Sequence, residues 1–281
     1  MLRGLTKKDW LELLQLPENR VPSVLVLRGT RNLRTQYEAH RPHFQDVIEV
    51  GSPNGIFEDV FVGDLEGNAV GYASVYGAPM ASEIVHLFGV LGTSMVVQTG
   101  VCGALAEDIE IGDLFIPTEA YRGEGASQYY EPRGETVAAS VDIHQLPGVE
   151  AIDDVSVHSG RIYTTSALLA EGEKEIERWY DQGFSAVDME TSATFAVADH
   201  FGMDRVAILY VFDNPRRRES IVMTDSHKDG RRALGNRHVI DLALRIAAEY
   251  GTSPLGSRKP SDQGRSSGGK GWPPQRTSRG D

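Results

Sequence analysis

The sequence predicts an α/β fold: a three-layer α/β/α sandwich with a mixed central sheet, in one domain over residues 1–250. Three observations lead there. Short β-rich runs alternate along the chain with segments whose apolar residues recur at helical spacing. Two of the runs, Ser94–Thr99 (SMVVQT) and Arg205–Phe212 (RVAILYVF), are nearly continuous apolar stretches, as expected of strands covered on both faces. The 281 residues are 40% hydrophobic and 24% charged, an ordinary globular composition with enough apolar material for a substantial core.

The elements follow in order. Ser23–Arg28 (SVLVLR) reads as a strand ending at Gly29. Ile56–Val62 and Ala69–Tyr76 flank the polar turn Glu66-Gly67-Asn68 and read as a hairpin. Gly77-Ala78-Pro79 breaks the chain before an apolar helix over Ala81–Leu91, which Gly92 ends. Ser94–Thr99 is a strand running into the glycine-rich turn Gly100-Val101-Cys102-Gly103. Asp113–Ala120 and Ser156–Thr164 are further strands, and Ala170–Gln182 is helical. Ser185–Met189 is a short strand passing directly into a helix at Glu190–Phe201. Arg205–Phe212 is a strand, and a long helix covers Arg231–Tyr250. Strands alternating with helices imply a parallel or mixed sheet with helices on both faces.

Charge is unevenly spread. The chain carries −12. From Gly251 onward Arg258, Lys259, Arg265, Lys270, Arg276 and Arg279 stand against Asp262 and Asp281, so the tail is +4 and residues 1–250 carry −16. An acidic body repels phosphodiester backbones, which argues against nucleic acid as a partner. The Gly/Ser/Pro/Arg-rich tail, residues 251–281, is too poor in apolar residues to offset its ordering entropy and reads as disordered. No apolar run approaches the roughly 20 residues that span a bilayer, so no membrane association is expected. The N-terminus lacks a secretory pattern, and the single cysteine, Cys102, allows no intrachain disulfide. A cytoplasmic location is the expectation.

In such sheets ligands collect at the carboxyl ends of strands. That directs attention to Gly29–Arg34, Gln98–Ala104, Asp188–Glu190 and Asp213–Asn214. Asp213 follows an apolar strand; at the mouth of a dry pocket its proton affinity rises and it can donate to a leaving group. The plainer alternative is an aspartate opening a turn before Pro215. Glu190 sits where a strand becomes a helix and can accept two hydrogen bonds from vicinal hydroxyls, with Met189 packing on a sugar face. The alternative is a glutamate favoured by the helix dipole. The glycines at 100 and 103 let backbone amides approach an anion. Cys102 reads as a small packing residue. The histidines lack metal-ligand spacing, so no metal is expected.

Taken in order, these segments resemble the nucleoside phosphorylase superfamily, which includes purine nucleoside phosphorylase, uridine phosphorylase and the methylthioadenosine/adenosylhomocysteine nucleosidases. The resemblance runs over Val24–Tyr250 and rests on four pieces. They are Tyr76-Gly77-Ala78-Pro79-Met80-Ala81; Thr99-Gly100-Val101-Cys102-Gly103-Ala104-Leu105 with Ile111-Gly112-Asp113; Gly123–Tyr130 (GEGASQYY); and Val187-Asp188-Met189-Glu190-Thr191 with Phe212-Asp213-Asn214. The resemblance implies that Met189 and Glu190 bind the ribose and that Asp213 protonates a purine ring nitrogen. It places Gly29, Arg31, Arg34, Gln98, Thr99, Gly100 and Val101 around the phosphate or other acceptor, and Cys102, Gly103, Thr165, Ser166 and Asn214 around the base. It implies inorganic phosphate as co-substrate with no cofactor, and a homo-oligomer, dimer or hexamer, in which a neighbour completes the site. His40, Arg41 and His43 are the candidates to cross that interface.

The sequence departs from the family pattern in places. Gln98 stands where phosphorolytic members carry Arg, and Val101 where they carry Ser. Neutral Gln and apolar Val weaken an oxyanion site. The first loop, Gly29-Thr30-Arg31-Asn32-Leu33-Arg34, offers Arg31 or Arg34 in place of the usual arginine. Asp188 replaces the first glutamate of Glu-Met-Glu. The Gln-x-Arg of pyrimidine-specific members is missing from Gly160–Ala170, which favours a purine, although Ser166 stands where purine members often carry Asp. The expected function is phosphorolysis of a nucleoside, giving free base and ribose 1-phosphate. A hydrolytic nucleosidase and a catalytically inactive nucleoside-binding protein are the alternatives.

Overall fold

A computed structural model describes residues 2–51, 56–130, 134–222 and 225–252, and each predicted strand and helix has a counterpart among its elements. In chain order these are α1 (Lys7–Leu14), β1 (Val24–Gly29), α2 (Leu33–His40), β2 (Gln45–Glu49), β3 (Val60–Leu65), β4 (Asn68–Val75), α3 (Gly77–Leu91), β5 (Met95–Ala104), β6 (Leu114–Gly123), β7 (Thr136–Ala138), β8 (Val157–Thr165), α4 (Glu173–Asp181), β9 (Ala186–Asp188), α5 (Thr191–Phe201), β10 (Asp204–Asp213) and α6 (Ser226–Thr252). The last helix therefore runs two residues past Tyr250. The remainder of the tail, 253–281, lies outside the described residues.

The strands form one mixed sheet in the order β10-β6-β8-β9-β5-β1-β4-β3-β2, with β7 on β6. β1 lies parallel to both β4 and β5, and β10 parallel to β5. Because β10 also pairs with β6 antiparallel, strands β5, β9, β8, β6 and β10 close into a ring from which β1, β4, β3 and β2 extend as an open sheet. Every residue of β1 is buried, which explains its unbroken apolar run. Val24, Val26, Met95, Val97, Val206 and Ile208 face Val239, Leu242, Ala243 and Ile246 of α6. Leu25, Leu27 and Val96 face Ile84, Val85, Leu87 and Phe88 of α3. These two apolar layers make the sandwich.

Two expectations need correction. Gly100-Val101-Cys102-Gly103 is not a turn but the second half of β5. Backbone pairing with Leu209, Tyr210, Val211 and Asp213 of β10 holds it extended, and Gly103 and Ala104 pair with Val187 and Ala186 of β9. Gly77-Ala78-Pro79 does not interrupt the chain; it is the first turn of α3, where the missing proline N–H has no intrahelical acceptor to lose. Four elements absent from the sequence reading are α1, α2, β2 and β7. Of these α1 had a local signal: Thr6 and Asp9 cap each other's backbone amides, a reciprocal box.

Candidate active site

The carboxyl ends of β1, β5, β9 and β10 meet around one cavity of about 410 Å³, within the range of small-molecule sites. Its wall includes Arg28 and Gly29 of β1 with Arg31 beyond it; Val101, Cys102 and Gly103 of β5; Asp188 of β9 with Met189 and Glu190 beyond it; and Tyr210, Phe212 and Asp213 of β10. Leu168, Leu169, Glu171 and Ile176 close one side.

Glu190 is held from two directions. Its Oε1 accepts the Gly77 N–H at 2.7 Å. A Cβ on residue 29 would stand 3.0 Å from its Oε2, so only glycine lets the carboxyl lie against the end of β1 without a shift. Glu190 is the residue before the first turn of α5, yet its own side chain makes no cap. Asp188 takes that role, accepting from the Glu190 and Thr191 amides at 3.1 and 2.8 Å. It also accepts from the hydroxyls of Thr191 and Thr164 at 2.6 and 2.8 Å and from Gln98 Nε2 at 3.3 Å. Burial pushes both carboxyls up. Five donors stabilise ionised Asp188, whereas Glu190 is pushed to about 8 by burial first and by the Asp188 charge second.

Asp213 ends β10 across the cavity. Its Oδ1 would be 3.0 Å from a Cβ on residue 103, so that glycine again makes room for a carboxyl. Burial raises Asp213 to about 6, with the Arg232 charge opposing the rise. Cys102 is buried and its thiol points to the Tyr210 carbonyl at 3.8 Å; burial pushes it well above the ordinary thiol range, which suits packing and not nucleophilic attack.

Several expected site residues lie elsewhere. Gln98 is fully buried behind the wall, where Nε2 donates to Asp188 and, at 2.9 Å, to Thr191 Oγ1. Thr99 faces the Leu27 carbonyl at 3.4 Å, and Gly100 packs under the Gly29 carbonyl. Arg34 sits on α2, bridging Glu38 at 2.9 Å and Asp59 at 3.3 Å beside a separate shallow hollow. Asn214 is buried and donates to the Ala106 and Ile109 carbonyls at 2.8 and 3.0 Å. Thr165 accepts from the Ala167 amide, and Ser166 lines an adjoining hollow that shares Arg31, Tyr76 and Met189 with the cavity. In the Gly123–Tyr130 segment Glu124 accepts from Ser192 Oγ at 2.9 Å, so that segment braces α5. His40 cannot cross an interface: it is 1% exposed and stacks on Tyr72.

The sequence reading missed Arg28, Tyr76 and Glu171. Arg28 is 2% exposed, with Nη2 donating to Asn236 Oδ1 at 2.5 Å and the Tyr210 ring beside it. Nε and Nη1 have no hydrogen-bond partner among the described residues. Arg31 lies over the Tyr76 ring at 4.8 Å. A charged residue closing an otherwise apolar strand just before a glycine was the available signal for Arg28. Among the described residues no group of three His, Cys, Asp or Glu side chains is placed to hold a metal ion. None of the described helices is long and apolar enough to cross a membrane.

A mixed sheet whose strand ends gather three carboxyls and two guanidiniums into one cavity defines the class. Comparison places the chain within it: the phosphorylase superfamily model matches residues 32–244, and the chain belongs to that family. A guanosine phosphorylase of Halorubrum lacusprofundi is 31% identical over 139 residues, spanning 49% of this chain and 58% of that protein. A DeoD-type purine nucleoside phosphorylase of Clostridium beijerinckii is 24% identical over 212 residues, 70% of this chain and 84% of that protein. The uridine phosphorylase structure from Vibrio fischeri superposes with a TM-score of 0.70 at 22% identity, covering 83% of this chain and 94% of that one. The fold is thus that of the nucleoside phosphorylases.

Proposed function

We propose that this protein cleaves the N-glycosidic bond of a purine nucleoside with inorganic phosphate, releasing the free base and ribose 1-phosphate. The observation that carries the reading is that Glu190 and Asp213 line the same cavity, each admitted by a glycine. In this reading Glu190 takes the ribose hydroxyls and Met189 packs on the sugar. The C1′–N9 bond breaks, its electron pair passes to the base, and the Asp213 proton moves to a ring nitrogen. A phosphate oxygen then bonds to C1′. With its affinity raised to about 6, Asp213 keeps a proton on part of the population near neutrality. An oriented donor of this kind contributes about 10²–10⁴ in rate.

The acceptor is anionic, and this chain's cations suit it. Arg31 stands at the cavity mouth, and Arg28 lies in the wall with two unpartnered N–H-bearing nitrogens. Among the described residues no carboxylate bonds to Arg28, and burying a cation without a bonded counter-charge is costly unless a ligand supplies one. These two replace, in charge, the family arginine that Gln98 lacks. Purine is favoured by the missing Gln-x-Arg and by the names of the Halorubrum and Clostridium relatives. One observation favours water instead: Val101 presents a methyl surface where the family offers a hydroxyl. Assembly as a homo-oligomer, dimer or hexamer, belongs to the same proposal.

The test is a nucleoside panel of guanosine, inosine, adenosine and uridine, assayed with and without phosphate and separated by chromatography. Ribose 1-phosphate formed only with phosphate supports the reading. Free ribose formed equally well without phosphate assigns the hydrolase, and saturable binding without turnover assigns a binding protein.

A further inference from the structure

Asn236 is the neutral partner of a buried cation. It lies on α6, does not itself line the cavity, and accepts from Arg28 Nη2 at 2.5 Å through its Oδ1. A guanidinium only donates, so the amide must turn its oxygen toward Arg28. The close seating of α6 makes the contact possible. A Cβ on residue 235 would stand 2.5 Å from the Gly112 carbonyl oxygen and 3.0 Å from Tyr210 Cβ, so glycine lets the helix lie directly against the loop before β6 and against β10. One turn earlier, Arg232 Nε donates to the Phe212 carbonyl at 2.9 Å, and the same helix face thus meets the ends of β10 and β1. Arg28 itself is 2% exposed, and burial works against its charge. A carboxylate in place of Asn236 would match that charge within the protein and leave less attraction for an incoming anion. An amide orients the guanidinium and leaves it cationic.

We propose that Asn236 is a positioning residue for the acceptor: it fixes the Arg28 guanidinium at the cavity wall through an uncharged amide, so that the whole charge is left for the incoming oxyanion. This rests on the phosphate-dependent reading above and adds to it the residue that governs acceptor affinity. Shape and charge can be separated at this position. Asn236→Asp keeps the size and the accepting oxygen and adds a negative charge beside Arg28. Asn236→Ala removes the bond and adds no charge.

Two quantities are read: the KM for inorganic phosphate, with the best substrate of the nucleoside panel held saturating, and the Tm with and without phosphate. In phosphate-free buffer the Asp variant should melt at or above wild type, because the buried cation gains a counter-charge. Its phosphate KM should rise at least about tenfold and its nucleoside KM change by less than about threefold. Phosphate should also raise its Tm by less than it raises that of wild type. Stability and acceptor affinity then move in opposite directions, whereas an amide with only a structural role would lower both or neither. The Ala variant should melt below wild type and raise the phosphate KM by less than the Asp variant does. An Asp variant that melts well below wild type, or keeps the wild-type phosphate KM, or raises both KM values alike, overturns the assignment of Asn236 alone. Wild type that forms free ribose equally well without phosphate and gains no Tm from it overturns the phosphate-dependent reading, and the Asn236 assignment with it.

Discussion

Asp188 and Glu190 are two residues apart, both buried, yet chemically opposite, because one collects five donors and the other only backbone amides. That contrast has consequences in pH. The raised Glu190 affinity means stability present at low pH is lost as pH rises through about 8, where a buried charge must form. Glu190→Gln, neutral throughout, should therefore gain about 1–2 kcal/mol relative to wild type between pH 7 and 9 in the ligand-free protein, while losing turnover. Urea unfolding at both pH values checks this, and an equal difference at the two contradicts it. Asp213 acts as an acid only when protonated, so kcat on a purine nucleoside should fall as pH rises above about 6. Asp213→Asn should lower kcat by at least about tenfold, with nucleoside affinity largely kept. Unchanged turnover removes Asp213 as the proton donor. At this scale the sequence was informative where a residue type and a strand end coincide, as at Met189, Glu190 and Asp213. It was silent on Glu171, whose surroundings (AEGEKEIE) read as a polar helix start. Only the fold turns that carboxyl inward.

Among the elements, β5 decides the site. A ten-residue strand paired with both β1 and β10 carries Val101, Cys102 and Gly103 to the cavity, while Gln98, Thr99 and Gly100 stay behind it. The family resemblance put all six around a ligand; position along the extended strand separates them, because only its last part, beyond Gly100, reaches the cavity. Gln98 accordingly braces Asp188 and the start of α5. The α6 contact with the sheet is fixed by Asp113, which is 2% exposed and accepts from Arg231 Nη2 at 2.8 Å and pairs with His158 Nε2 at 3.0 Å. Burial raises the Asp113 affinity, but the His158 contact and two backbone amides outweigh it and hold the carboxyl below its ordinary range. Its contribution is present above the ordinary carboxylate range and lost in acid. Asp113→Ala should cost about 3 kcal/mol by chemical denaturation at pH 7, since it strands a partly buried guanidinium. A loss below about 0.5 kcal/mol contradicts the role. The hairpin, α3, α5, β10 and α6 were legible because their apolar periodicity is unbroken. Strands β2 and β7 were not: β2 alternates weakly on an exposed edge, and β7 has three residues.

For the whole molecule, ring closure is what the α/β pattern did not reveal. The alternation of strands and helices fixes the layers but not whether the far edge of the sheet returns to its middle, which depends on the parallel pairing of β10 with β5. That closure brings Asp213 against Gly103 and so sets it in the same cavity as Glu190. At this scale we expect sedimentation to give a dimer or hexamer; a monomer at assay concentration contradicts the proposed assembly. The central claim is that a sugar-holding Glu190 and a proton-donating Asp213 serve one phosphate-dependent bond cleavage. Product analysis of guanosine with and without phosphate tests it most directly. Guanine and ribose 1-phosphate should form only when phosphate is present, and free ribose at the same rate in its absence would contradict a phosphate-dependent cleavage.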